Sequence, residues 1–340
     1  MDHDISTPPH RARRPRRALA LTAGGIGLAL AAGLPLTVAQ AAPAAADAPT
    51  VHVTPGMPKA HETPRPHLTG TTLIHGRLRI ELPWAQAHLL GRSGRAYVVQ
   101  AITRRGSTRI LRVHRDGTYR VLLRKPRQTS NAILSSDGSR LISADYGSGV
   151  RTRVFVRNAR TGALLARKDF VSGDVVDAHR ARVGFTSAAT GQTILWNTHT
   201  GASHVVTRHT ADSMDISSNR VSWYDGDPER GGCTVAAPLS SPGTVLWRSC
   251  AERVEAWSPS GRRMLTVPIL SDGPGASQVR QRRAHGRLVA TYVPPTFVSE
   301  SRFVGPRRAL LRVHGLRREA LVSCTVRCVR VSDTARNTMG

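Results

Sequence analysis

The residues of this 340-residue chain whose types and spacing bear on chemistry are four cysteines, two small acidic and histidine groupings, and several dense runs of arginine. Cys233 and Cys250 flank Thr-Val-Ala-Ala-Pro-Leu and Thr-Val-Leu-Trp-Arg-Ser, with Ser240-Ser241-Pro242-Gly243 between the two halves. If that tetrapeptide turns a hairpin, the two cysteines stand directly opposite each other and can close a disulfide with little strain. Cys324 and Cys328 flank the tip Thr325-Val326-Arg327 and make the second expected pair. A lone C-x3-C could instead hold a metal or cycle as a redox pair. No second Cys or His pair sits nearby at zinc spacing, so two structural disulfides are the expectation.

Asp225-Gly226-Asp227-Pro228-Glu229 gathers three carboxylates in one loop, and spaced oxygens on a loop can ligate calcium. The rest of a calcium loop's spacing is missing, and a solvated turn is expected instead. His199, His204 and His209 recur every five residues, whereas ligands on one strand need even spacing to share a face. No metal and no cofactor are therefore expected. Trp84, Trp196, Trp223, Trp247 and Trp257 could stack on sugars, but most lie inside apolar strand runs and are assigned to packing. No G-x-S-x-G elbow, Walker loop, HExxH or dinucleotide fingerprint is present. Any catalytic site would have to be assembled from dispersed residues.

The formal net charge is +27. A GC-rich coding sequence accounts for the preference for arginine over lysine, but it does not remove Asp and Glu, which number 22 against 49 basic residues. A surplus this large attracts anionic polymers with salt-sensitive affinity. The densest basic stretches are Arg104 to Arg127, Arg280-Gln281-Arg282-Arg283, and Arg302 to Arg318. They yield Arg112, Arg280, Arg282, Arg283, Arg307 and Arg308 as candidate polyanion-binding residues, with solvated strand faces as the plain alternative.

Short strands must position these side chains. Leu134-Ser135-Ser136-Asp137-Gly138-Ser139-Arg140-Leu141-Ile142 is answered by Ile216-Ser217-Ser218-Asn219-Arg220-Val221-Ser222-Trp223 and by Trp257-Ser258-Pro259-Ser260-Gly261-Arg262-Arg263-Met264-Leu265. Ser217 and Ser258 are about 41 residues apart and Ser135 to Ser217 is twice that, the period of a propeller blade. A leading hairpin (71–82) is followed by six units, 85–127, 128–170, 171–210, 211–250, 251–293 and 294–333. Strands of four to eight residues bounded by Gly, Asn, Asp, Ser and Pro leave little room for helices. The fold class expected is all-β, a propeller of six or seven four-stranded blades. The sequence leaves the blade number open.

Trp257-Ser258-Pro259-Ser260-Gly261 and Leu134-Ser135-Ser136-Asp137-Gly138 resemble the F/W-S-P-D-G element of TolB-type and WD40-like propeller repeats. The turns Asn158 to Gly162 and Asn197 to Gly201 resemble their x-D-x-x-T-G link between outer strands. The Trp-Asp pair of WD40 blades is missing, and Trp196-Asn197 comes nearest. The resemblance covers roughly residues 70–333, implies a binding scaffold, and transfers no catalytic residue.

Residues 1–17 carry five arginines and two acids, 18–38 are apolar or small, and Ala39-Gln40-Ala41 offers a cleavage site. That is the layout of a secretory signal, with an uncleaved membrane anchor as the alternative. The organisation expected is a signal peptide at 1–41, a disordered linker at 42–68, a propeller at 69–333 and a tail at 334–340. The function expected is an exported, monomeric, disulfide-stapled binding module. Its partner would be an anionic cell-envelope polymer or an envelope protein, with no specific nucleic acid. The alternative is a propeller lyase or glycosidase with its site at the channel mouth.

Overall fold

The computed structural model describes residues 48–60, 65–125, 132–147 and 150–337. The expected signal peptide lies outside the described residues. Twenty-nine strands are arranged in seven sheets. A three-residue strand, β1 (Thr50–His52), comes first. Blade 1 is β2 (His67–Thr69), β3 (Thr72–His75) and β4 (Leu78–Glu81). Blade 2 is β5 (Gln86–Ser93), β6 (Ala96–Ile102), β7 (Thr108–Val113) and β8 (Tyr119–Lys125). Blade 3 is β9 (Ile133–Leu134), β10 (Arg140–Tyr146), β11 (Arg151–Asn158) and β12 (Leu164–Val171). Blade 4 is β13 (Asp174–His179), β14 (Arg182–Ser187), β15 (Gln192–Asn197) and β16 (Ser203–Thr207). Blade 5 is β17 (Ala211–Asp215), β18 (Arg220–Tyr224), β19 (Thr234–Pro238) and β20 (Trp247–Ser249). Blade 6 is β21 (Glu252–Trp257), β22 (Arg263–Pro268), β23 (Val279–Arg283) and β24 (Leu288–Val293). Blade 7 is β25 (Phe297–Phe303), β26 (Ala309–His314), β27 (Arg318–Cys324) and β28 (Cys328–Arg330), with β29 (Ala335–Arg336) also on β27.

Blades 2–7 are antiparallel meanders whose first strand lies innermost, with β1 added in parallel to blade 6, and the last strand of each blade but the seventh leads to the next blade. The chain is therefore a seven-bladed β-propeller, which settles the blade number left open by the sequence. The expected units match blades 2–7 to within a few residues. In two of the three repeated elements the first serine closes the inner hairpin, whereas Ser217 donates to Asp215 at 2.6 Å. Ser135 Oγ accepts from Arg140 N at 2.9 Å, and Ser258 Oγ accepts from Arg263 N at 3.0 Å. The glycine that follows takes the left-handed conformation, Gly138 at φ 71° and Gly261 at φ 64°. That conformation disfavours a side chain, and a Cβ on Gly138 would lie 2.1 Å from the Arg92 carbonyl oxygen of the preceding blade.

The expected linker is partly structured. Thr50–His52 pair in parallel with Thr291–Val293 on the outer edge of blade 6, Val53 is buried in the core between blades 6 and 7, and Lys59 bridges to Arg330. Apolar Val51 and Val53 explain why this stretch docks: both add to that core. The expected tail likewise contains β29.

Apolar clusters fill six interfaces between neighbouring blades. Leu73 and Leu111 meet between blades 1 and 2, and Ile110 and Leu141 between 2 and 3. Val154, Phe185 and Trp196 lie between 3 and 4, and Leu195 and Val221 between 4 and 5. Ala236 and Trp257 join 5 to 6, and Leu265, Tyr292 and Leu311 join 6 to 7. Among the described residues no such cluster joins blade 7 back to blade 1. A cavity of about 450 Å³ lies there instead.

Blade 1 is also one strand short. Because β4 feeds β5 through the linker 82–85, its three strands run in the directions of the second, third and fourth strands elsewhere. Its β3–β4 turn must then lie at the end of the ring that carries the inner hairpins. The 2.6 Å hydrogen bond between His75 Nδ1 and the Tyr97 hydroxyl, at the start of β6, agrees with that.

Candidate functional site

Alternating strand direction gives the ring two unlike ends. At the hairpin end lie the turns joining first to second and third to fourth strands, together with the β3–β4 turn. These turns carry Arg77, Arg95, Arg115, Arg160, Arg180, Arg262, Arg287, Arg307, Arg308 and Arg327, against Asp116 and Asp137. Asp137 is held within its own hairpin. Burial raises its pKa, but bonds from Ser135 Oγ, Ser139 and the Arg180 amide outweigh that and bring it down to about 2. At the linker end the described connections hold Arg104, Arg105, Arg208, Arg230 and Arg317, balanced by Asp225, Asp227, Glu229 and Asp272. The basic surplus thus concentrates at the hairpin end.

The sharpest feature of that end sits between blades 6 and 7. Arg263 and Arg283 are direct cross-strand partners on β22 and β23, a placement that is repulsive for like charges. Arg307, in the β25–β26 turn of blade 7, approaches the same guanidinium. Burial and then the charges of Arg307 and Arg283 lower the Arg263 pKa. Gln281 Nε2 donates to the Arg307 carbonyl at 2.9 Å and fixes that turn against blade 6. Among the described residues none of these three arginines has a carboxylate partner. Arg283 and Arg307 are exposed and Arg263 is half-buried.

The sequence candidates divide accordingly. Arg283 and Arg307 belong to this cluster, and Arg308 lies in the same turn as Arg307. Arg112 is half-buried between blades 2 and 3, where Nη1 donates to Ser93 Oγ at 3.2 Å and the Ala159 carbonyl at 3.5 Å. Arg280 and Arg282 point to the opposite face of blade 6. There they surround Glu252, which is only 3% exposed. Arg282 donates through Nη2 at 2.6 Å and Nε at 2.8 Å, Arg280 bonds the same carboxylate, and Thr266 Oγ1 donates at 2.5 Å. Burial would raise the Glu252 pKa, but these partners hold it below the usual carboxylate range. Sequence reasoning missed Arg263, whose place opposite Arg283 follows only from strand register.

The other chemical groupings are tied up internally. Cys233–Cys250 and Cys324–Cys328 are disulfides, and the pairing of Thr234 with Ser249 follows the expected register. Asp225 accepts from the Cys233 amide and pairs with Arg248, while Asp227 caps the single-turn 3-10 helix Pro228–Arg230. His209 stacks on Trp223. Trp196, Trp223 and Trp257 are buried between blades.

Sequence reasoning also missed the residues that the inner strands present. Five inner strands carry a β-bulge near mid-strand, whose extra residue is Leu90, Val176, Asp212, Glu255 or Ser299. Bulges re-aim side chains, and on blades 5 and 6 they present carboxylates. Burial, opposed by Arg253 and by a hydrogen bond from Tyr224, raises the Asp212 pKa to about 6. Asp212 Oδ2 is buried and has no hydrogen-bond partner among the described residues.

No family model matches the chain, and no curated protein matches it. Solved structures of similar fold include an uncharacterized protein of Listeria monocytogenes, at 12% identity and TM-score 0.49 over 74% of this chain and 88% of that one. The Cps50 (Swd1) β-propeller domain of Myceliophteria thermophila gives 9% and 0.49 over 82% and 90%. The β-propeller domain of the Trilobed protease from Pyrococcus furiosus gives 10% and 0.49 over 72% and 85%.

Proposed function

We propose that this propeller is an exported binding module that holds an anionic cell-envelope polymer against its hairpin end. The observation that carries the reading is the Arg263–Arg283–Arg307 cluster. Three guanidinium groups are placed against one another without a carboxylate, at the end of the ring where arginine-bearing turns concentrate. Guanidinium forks pair bidentately with phosphate or carboxylate, and a repeating anion would relieve the repulsion that the register imposes. The two disulfides accord with a compartment outside the cytoplasm.

The test is retention of the chain on purified cell-wall material, titrated from low to high salt. Retention that collapses with salt and weakens with Arg283→Ala or Arg307→Ala is the expected result. Retention that survives high salt, or is untouched by either substitution, refutes it.

Asp212 favours a second reading. A carboxyl group near pKa 6 beside Tyr224 and the Glu255 carboxylate, in the channel, is the asymmetry that acid–base catalysis requires. A lyase or glycosidase acting there would lose its turnover of acidic polysaccharide on Asp212→Asn. Unchanged turnover in that variant would remove Asp212 from the chemistry.

A further inference from the structure

The seam between the last and first blades is built unlike the other six interfaces. Blade 7 offers it an apolar wall, with Leu310 and Leu321 lining the cavity. Blade 1 answers with Arg65 and His67. His67 is 4% exposed and donates from Nδ1 to the Arg65 carbonyl at 2.9 Å, which leaves Nε2 as the acceptor. That buried Nε2 has no hydrogen-bond partner among the described residues. Its pKa is lowered by burial and then by Arg312 and Arg302, against its bond to Arg65, so the ring stays a neutral acceptor.

β2 is meanwhile an edge. Among the described residues it pairs only with β3. The two-residue turn at Gly70-Thr71 makes Thr69–Thr72 and His67–Ile74 the hydrogen-bonded pairs, so the Leu68 amide and carbonyl face away from the sheet. Among the described residues, no strand takes in blade 1 the position that an inner strand fills in every other blade. We infer that the seam binds an extended, acidic peptide segment of a partner protein, which pairs with β2 and takes the place of the missing inner strand. A backbone N–H suits His67 Nε2, apolar side chains suit Leu310 and Leu321, and a carboxylate suits Arg65, beside which Arg302 and Arg308 add positive charge. Strand addition to an open edge supplies affinity through the backbone and selectivity through alternate side chains.

The chain's own termini fit poorly. Asn337 is anchored to the Arg317 carbonyl at the linker end, whereas the cavity is lined by the 304–308 turn and Thr325 at the hairpin end. Residues 1–47 carry five arginines against three acids, the wrong charge for this seam. Arg307 lines this cavity and also belongs to the polymer cluster, but the inference uses neither Arg263 nor Arg283, so Arg283→Ala separates the two readings.

The test is selection of a random seven-residue peptide library displayed on phage against the full chain. Variant Ser323→Trp, which fills the cavity, and variant Arg65→Glu, at an exposed position, serve as counter-targets. Enrichment of sequences with acidic residues at alternating positions is expected. A synthetic peptide of the enriched sequence should bind at least tenfold more weakly to each variant, slow hydrogen exchange at the Leu68 amide, and bind Arg283→Ala as well as the parent. Three results would each overturn the proposal: no enrichment over the variants, enriched peptides that leave Leu68 exchange unchanged, or binding seen only after residues 1–47 are removed. Because Arg65→Glu leaves the fold's interior untouched, a misfolded Ser323→Trp would not blunt the test.

Discussion

Adjacent arginines in one run should have separable roles. In Arg282→Ala the Glu252 carboxylate stays almost wholly buried but loses two of its donors, at 2.6 and 2.8 Å. Removing one partner of a buried ion pair costs about 3–5 kcal/mol. Arg280 and Thr266 remain, so the low end, about 3 kcal/mol, applies. For a domain of this size that lowers the thermal midpoint by roughly 5 °C. Arg283→Ala breaks no ion pair and removes a like-charge cross-strand neighbour of Arg263, so stability should hold or rise by up to about 1 kcal/mol. Binding should respond the other way. The slope of log affinity against log salt should fall by nearly 1 in Arg283→Ala, by the counterion-release arithmetic known for nucleic acids, and stay unchanged in Arg282→Ala. Calorimetric melting and salt-titrated retention of both variants on cell-wall material settle it. If Arg282→Ala weakens retention at an unchanged midpoint, or Arg283→Ala lowers the midpoint at an unchanged slope, the division of roles is wrong.

Asp212 should titrate against stability with the sign of a raised carboxyl pKa. Its contribution is fully present below about pH 4, the unfolded value, and is lost as pH rises through about 6. Asp212→Asn should therefore gain up to about 3 kcal/mol over the parent at pH 8 and little at pH 4, read from urea midpoints. An equal difference at both pH values would exclude a buried ionisation. Gly138→Ala should cost well over 2 kcal/mol, because φ 71° and the Arg92 carbonyl oxygen at 2.1 Å both oppose a methyl group. Gly201→Ala, at φ 79° with nothing within 4 Å, should cost only about 1 kcal/mol, and equal losses in thermal melts would refute the packing argument. Replacing Cys233 and Cys250 together by alanine should cost about 3 kcal/mol, the entropy of a 17-residue loop. A melt indifferent to that change would make the hairpin self-sufficient.

The repeat was legible because each blade reuses the same local chemistry. Serine closes the inner hairpin at Ser135 and Ser258. The Asn158 and Asn197 side chains each accept two amides of the outer turn before Gly162 and Gly201. Such bonds span two to five residues, so they leave a mark in one sequence. The cysteine register was legible for the same reason: strands β19 and β20 are local. Blade 1 was only half visible, as a leading hairpin, because β2 is three residues long and lacks the repeat's serine-glycine turn. The segment Thr50–His52 was read as linker because a short parallel strand on an outer edge needs no turn signal of its own.

The candidate site was legible as charge and illegible as geometry. The run Arg280-Gln281-Arg282-Arg283 looks uniform along the chain, yet a period of two sends Arg280 and Arg282 to one face and Gln281 to the other. Glu252, 28 residues upstream of Arg280, then neutralises one face, and nothing in the linear pattern marks that distant partner. The other face keeps Arg283 against Arg263 and Arg307, which meet only once β22, β23 and the β25–β26 turn are brought together. A polyanion can therefore engage the run only through the face that Glu252 leaves charged. The hairpin end is where that face opens, so surface field and local cluster coincide there.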